Sequence, residues 1–304
     1  MILISKKVMR RLKHYALVVL HAVRVFRQYL SLSFLVPDCI KKPLQDRIVI
    51  KRLDATYREI LARNKELKDT YHGKRCFVIG NGPSLNTVDM RKLKNECVIV
   101  VNLFHRYKDF KEINPRYYIL IDPDWFLPKT AFSTLLKEIE TITDPDTIFI
   151  VPLSARAYLR ESGFFGDRKV YYFSAFGEFK EDLKFNIELD RTIPQPVNSI
   201  NCSLLVAKYL GCKDIYLLGC DRDSLSRHNP LSDVQQLHFY KDEDDGTIQR
   251  APFELSLFYT ALSLKIDRLL GQKFALDGVK IWNANPKSWI DVFEKIEYEL
   301  IPGL

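Results

Sequence analysis

Gly80-Asn81-Gly82-Pro83-Ser84 follows directly on the apolar run Cys76–Ile79. Two glycines at that spacing permit a tight turn and let a ligand come close to the backbone. Ser84 or Asn86 can then cap a helix through Val88, Asp89 and Met90, whose first N–H groups would point back at the loop. A strand, a glycine turn and a helix start make a cradle for an anion, usually a phosphate. The same residues would also serve as an ordinary strand-to-helix turn. The spacing is neither GxGxxG nor GxxxxGKS/T, which excludes a standard dinucleotide or Walker loop.

Three further apolar runs end in groups able to recognise a ligand. Asn102 follows Cys97–Val101, Asp122-Pro123-Asp124 follows Tyr117–Ile121, and Gly219-Cys220-Asp221-Arg222-Asp223 follows Ile215–Leu218. An amide or carboxylate at the rim of a sheet can hydrogen-bond a base, a ribose or a catalytic partner. Singly, each such residue is also a common cap or turn former. Asp122 and Asp124 admit a sharper reading, as the Asp-x-Asp with which nucleotide-sugar transferases hold a divalent metal. Asp221 to Arg250 forms a long polar connection, as expected of a lid or binding loop. Within it, Gln236-Leu237-His238-Phe239-Tyr240 sets a histidine between apolar residues. Such a histidine can take a proton from an incoming hydroxyl, or it can anchor the lid by one hydrogen bond. The acidic run Asp242–Asp245 reads as a solvated turn.

The elements that must position these groups alternate along the chain. Strands are expected at 76–79, 97–101, 117–121, 147–151, 169–173, 215–218 and 280–282. Helices are expected at 130–142, 199–210, 252–270 and 288–298. This alternation predicts an α/β fold with a doubly wound, mostly parallel, Rossmann-like sheet, its ligands outside the carboxyl ends of the strands. Six cysteines show no CxxC pair and no metal-ligand spacing, and read as small buried hydrophobes in a reducing compartment.

Residues 1–36 hold seven Lys and Arg and no acid, which is +7 of the chain's net +8. The body is therefore nearly neutral, which argues against a broad nucleic-acid-binding face. Across 6–30, Val8, Leu12, Tyr15, Val19, Val23, Phe26 and Leu30 share one helical side, and the basic residues take the other. The run free of charges is too short to span a bilayer. This pattern suits an anionic membrane surface, or packing on the domain or on a partner subunit. Residues 1–36 are thus expected to be a membrane-associating helix, 37–73 a helical arm, and 74–304 the α/β domain with a lid at about 222–250. The second helical pattern, toward Lys68, either covers the sheet or extends the arm.

Val78–Leu85, Asn102, and the stretch from Ser199 through Gly211 to Asp221 resemble the bacterial lipooligosaccharide sialyltransferase family, which transfers sialic acid from a CMP donor. They are also similar to a wider group that includes flagellin-glycosylation accessory proteins and pterin pyrophosphokinase-like proteins. The resemblance implies a variant GT-A fold with a lid and an inverting, metal-independent glycosyltransferase without a cofactor. It implies that Asn81, Gly82, Ser84 and Asn102 hold the CMP moiety, that Asp122, at a position usually Asn in the family, contacts the nucleotide, and that His238 is the general base. Gly80, Pro83, Ser199, Asp221, Arg222 and Tyr240 are expected beside them at the donor. Two positions depart from the family: Pro196 stands where an arginine is usual, and Asp223 where a tyrosine steadies the leaving phosphate. Arg222, Arg227 or Tyr240 could compensate. The implied partners are a nucleotide-sugar donor carrying sialic acid, another nonulosonic acid or Kdo, and a cell-surface glycan or glycolipid acceptor. A homo-oligomer is also expected, as is a peripheral place on the inner face of the bacterial cytoplasmic membrane through residues 6–30. Two other readings accompany this one. The first is a Mg-dependent pyrophosphokinase-like phosphoryl transferase using Asp122 and Asp124; the second is a non-catalytic glycan-assembly scaffold.

Overall fold

The computed structural model describes residues 55–128, 131–228, 238–240 and 252–304. The basic helix expected at 6–30 and most of the lid expected at 222–250 lie outside the described residues. The chain divides into two compact units, Met1–Tyr57 and Arg58–Leu304, and the second is the α/β body.

Eight strands form one sheet: β1 (Arg75–Ile79), β2 (Cys97–Val101), β3 (Tyr117–Ile119), β4 (Ile148–Pro152), β5 (Lys169–Phe173), β6 (Asp214–Leu218), β7 (Lys280–Asn283) and β8 (Glu294–Lys295). Their order is β5-β4-β3-β2-β1-β6-β7-β8, and every pairing is parallel. The helices are α1 (Ala55–Ala62), α2 (Phe110–Ile113), α3 (Ala131–Ile142), α4 (Arg156–Ser162), α5 (Ser199–Tyr209) and α6 (Phe253–Ala275). This is the doubly wound α/β fold that the strand and helix spacing predicts.

The unbroken apolar runs are explained by burial on both faces. Cys76, Val78, Ile99, Val101 and Ile119 point into the layer shared with α5 and the inner side of α6. Phe77, Ile79, Val98, Val100 and Tyr118 point the other way, toward α2, α3 and α4. Each fully buried aliphatic or aromatic side chain contributes about 1.5–3 kcal/mol, so the central strands anchor the body. Residues 58–73 pack on it, with Leu61 and Leu67 buried. Asn64 Nδ2 donates to Tyr172 O on β5 at 2.7 Å and to Leu189 O at 2.6 Å, so this stretch covers the sheet edge.

Two expected helices do not form. After the glycine turn the chain makes only short 3₁₀ turns, Pro83–Thr87 and Met90–Leu93, with Asp89 accepting from Arg91 N. Val88 between them is extended, and the chain drops Leu85, Met90 and Leu93 into the core without a full helix. The stretch read as a helix over 288–298 instead runs back along the sheet and supplies β8. Ser288 Oγ donates to Cys220 O at 2.7 Å and accepts from Ile290 N at 3.1 Å, and Trp289 N donates to Asp221 O at 2.9 Å. Those bonds hold the backbone of 288–290 against the end of β6, which outweighs helical propensity. Among the described residues, no helix is long and apolar enough to cross a membrane.

Candidate active site

Chain order along the sheet reverses between β1 and β6, so connections leave in opposite directions and open a crevice at their carboxyl ends. A cavity of about 210 Å³ lies there. Its walls come from Gly80–Gly82 after β1, Val101 and Asn102 at the end of β2, Asn198–Ile200 at the start of α5, and Gly219–Ser224 after β6; His238 completes them.

The glycine turn is fastened to the neighbouring strand end. Gly80 N donates to Leu218 O and Gly82 N to Gly219 O, each at 2.8 Å. A β-carbon on Gly80 would meet Gly219 O at 2.4 Å, and one on Gly82 would meet Asp221 Oδ2 at 2.3 Å. The second partner is itself fixed. Asp221 Oδ2 accepts from Ser84 N at 2.9 Å, while Oδ1 accepts from Ser84 Oγ and, at 2.6 Å, from Asn285 Nδ2. One carboxylate therefore ties together the ends of β1, β6 and β7. Because Asp221 cannot yield, Gly82→Ala is expected to displace the turn at a cost of about 1–3 kcal/mol. Urea unfolding would register that loss.

On the other walls the polar groups are equally placed. Asn102 adopts a left-handed backbone conformation, φ 50°, which turns its amide toward α5, where Oδ1 accepts from Ser199 Oγ at 3.1 Å. Helix α5 begins at Asn198, whose side chain accepts from Asn201 N at 2.9 Å. The eleven-residue helix thus presents its N-terminal N–H groups and positive dipole end to the cavity, as suits an anion. Asn81 Oδ1 is buried without a hydrogen-bond partner among the described residues. Asn81 O accepts from Phe239 N at 2.8 Å, and the Phe239 ring packs edge-on to Phe104 and Tyr107. These contacts pin His238 at the cavity, its ring lying parallel to Tyr240 at 4.8 Å.

Arg222, also left-handed at φ 62°, turns its guanidinium toward α6. Nη2 donates to Asp267 Oδ2 at 2.7 Å, Nη1 to Ser263 Oγ at 2.9 Å, and Asn201 Nδ2 to Asp267 Oδ1 at 2.6 Å. Burial pushes the Asp267 carboxyl above the ordinary carboxylate range, while the Arg222 charge and the two hydrogen bonds pull it back.

Of the residues singled out from the sequence, Gly80, Asn81, Gly82, Asn102, Ser199, Asp221, Arg222 and His238 meet at this cavity. Pro83, Ser84, Asp122 and Tyr240 do not line it. Ser84 is engaged by Asp221 and Tyr240 backs His238. Asp122 sits beyond β3, separated from β1 by β2, and its side chain accepts from Asp124 N at 3.0 Å in a capping turn. His228, at 3.0 Å from Ser256 Oγ, is not part of the lining either. Sequence reasoning missed Asn198, Asn201, Ser263, Asp267 and Asn285. Asp267 had a legible signal, since it shares a helical stripe with Ser263, Leu270 and Phe274 and interrupts an otherwise core-facing run.

Solved structures similar to the chain include two sialyltransferases. One is the sialyltransferase CstII from Campylobacter jejuni in complex with a substrate analogue, cytidine-5'-monophosphate; it is 18% identical over 77% of this chain and 88% of that one, with a TM-score of 0.45. The other is the sialyltransferase CST-II with a trisaccharide acceptor and CMP, 20% identical over 73% and 86% of the two chains, with a TM-score of 0.41. No family model and no curated protein matches the sequence.

Proposed function

We propose that the chain is a glycosyltransferase that moves an acidic sugar from a CMP donor to a glycan acceptor. One observation carries this reading: His238 lines the same cavity as the Gly80–Gly82 turn and the N-terminus of α5, at the point where strand order reverses. A proton acceptor and an anion cradle within one hollow are what transfer from a nucleoside monophosphate requires. The resemblance of Val78–Leu85 and Gly211–Asp221 to the sialyltransferase family supports the choice of cytidine.

In this mechanism the donor phosphate lies against the turn and the first N–H groups of α5, with the nucleoside beside Asn81 and Asn102. The acceptor oxygen attacks the anomeric carbon as the bond from that carbon to the phosphate oxygen breaks. His238 takes the acceptor proton, and CMP departs with the bonding electrons. The departing phosphate monoester is stabilised by N–H donors already in place, so no reorganisation is needed at the moment of cleavage. Inversion follows from a single displacement. A monoester leaving group develops less charge than a diphosphate, so this scheme requires no metal. Held at an anionic membrane by residues 6–30, the enzyme would meet lipid-linked acceptors.

Calorimetry with CMP, UDP, GDP and ATP, each with and without magnesium, tests the assignment. The expected result is saturable one-to-one binding of CMP, unchanged by magnesium and tighter than that of the others. Absence of heat with CMP, or binding of ATP that depends on magnesium, would overturn it.

A further inference from the structure

The cysteines carry no metal-binding spacing in sequence, yet the fold gathers three of them. Cys76 opens the buried part of β1, Cys97 opens β2 directly opposite it in the parallel register, and Cys212 lies in the turn entering β6. Their sulfur atoms all lie within 4.8 Å of one another, and all three residues are buried. Among the described residues this is the one group of three or more His, Cys, Asp and Glu side chains close enough to share an ion. It sits at the amino ends of the central strands. The candidate active site is at their carboxyl ends, about 13 Å away for a strand of four residues.

Three sulfurs around one ion at a metal–sulfur distance of about 2.3 Å stand about 4 Å apart in a trigonal plane, a separation that this group can meet with little movement. No fourth ligand of these types lies within the same reach among the described residues. Structural zinc takes four protein ligands, whereas soft ions such as copper(I) are selected by thiolates. We propose that Cys76, Cys97 and Cys212 form a three-sulfur site for a soft, thiolate-seeking metal ion of the copper(I) class, separate from the transfer site.

Each sulfur that binds the ion as a thiolate releases its proton to solvent, and a sulfur left as a thiol binds through its lone pair without adding charge to the buried wall. Next to Cys212, the turn at 69–74 is hydrogen-bonded to 209–213 through Asp69 N to Tyr209 O, Tyr71 N to Leu210 O, Gly73 N to Gly211 O and Lys213 N to Lys74 O. Once bound, the ion joins β1, β2 and the turn before β6, and so braces the three strands whose far ends make the cavity.

Copper(I) alone, supplied anaerobically to the full chain from a chelator of known affinity, is the probe, with zinc alone as the comparison. The expected result is one copper(I) per chain, three sulfur neighbours by X-ray absorption, and a melting temperature that rises with loading. Cys97→Ser and Cys212→Ser should each lower the affinity by at least a hundredfold. Cys202→Ala and Cys220→Ala, at cysteines outside the group, should leave it unchanged. If the serine variants fail to fold, protection of the three wild-type thiols from alkylation by copper(I), read by mass spectrometry, decides the matter. The proposal is overturned if folded wild type takes up no stoichiometric copper(I), if fewer than three sulfurs surround the ion, or if zinc binds more tightly with a non-sulfur fourth ligand. The first of these would leave the three thiols as packing groups.

Discussion

Replacing His238 with alanine is expected to lower transfer from a CMP-activated acidic sugar by about 10²–10⁴-fold, the usual contribution of a general base. CMP affinity should stay within a few-fold of wild type. The reason lies in how the histidine is held. It reaches the cavity because the main chain of the next residue bonds to Asn81 O and the Phe239 ring is lodged against Phe104 and Tyr107. Truncating the imidazole leaves those anchors and the cavity-facing N–H groups at the start of α5 intact. The measurement is kcat and KM for transfer alongside calorimetry with CMP. Turnover at wild-type rate would remove His238 from the chemistry, and a parallel loss of CMP binding would make it a wall of the pocket instead. The pH profile separates the roles further, since a proton acceptor imposes an acidic limb on kcat/KM that the alanine variant should lack.

Arg222→Ala is expected to destabilise the body by about 3–5 kcal/mol near neutral pH, the cost of leaving a buried ion pair with one partner. Asp267 is fully buried, and Arg222 is its charged partner. Its carboxyl is already raised by burial, and loss of the guanidinium raises it further. The sign of the pH dependence follows. A carboxyl whose folded pKa exceeds its unfolded value costs nothing at a pH below both. It begins to cost stability above the unfolded value, and costs most once the pH has passed the folded value. The variant should therefore lie closest to wild type in mild acid and fall furthest behind at neutral pH and above. Urea unfolding across that range provides the check. Combining Arg222→Ala with Asp267→Asn should recover much of the loss, because a neutral amide can be buried with Asn201 beside it. A constant deficit at every pH would mean that Arg222 acts through packing alone.

The sheet was legible because its strands are short, apolar and buried on both faces, a pattern that admits few other placements. The local turns were less so. A capping residue before an apolar stretch signals a helix at Ser84 and again at Ser288, and neither helix forms. In both cases a hydrogen bond from far along the chain decides the geometry: Asp221 takes the amide and hydroxyl of Ser84, and Cys220 takes the hydroxyl of Ser288. No local propensity encodes partners 137 and 68 residues away. The cavity could be anticipated at strand ends, because glycine, Asn102 and Asp221 all terminate apolar runs. Asp122 terminates one as well, yet strand order sets it two positions from β1. That order is a property of the whole topology and leaves no mark on the tripeptide itself. The cysteines make the same point in reverse, since positions separated by 21 and 115 residues become neighbours only once β2, β1 and β6 are laid side by side.

The Asp221 carboxylate that fastens the turn also sets a like-charge wall beside the hollow. A phosphodiester with one ionised oxygen meets that wall at modest cost, whereas a pyrophosphate linkage brings a second negative charge to it. Such repulsion discriminates by what it rejects. Under the proposed function, the clasp that shapes the cradle would thereby sort activated sugars by the ionisation of their linkage before either sugar is touched.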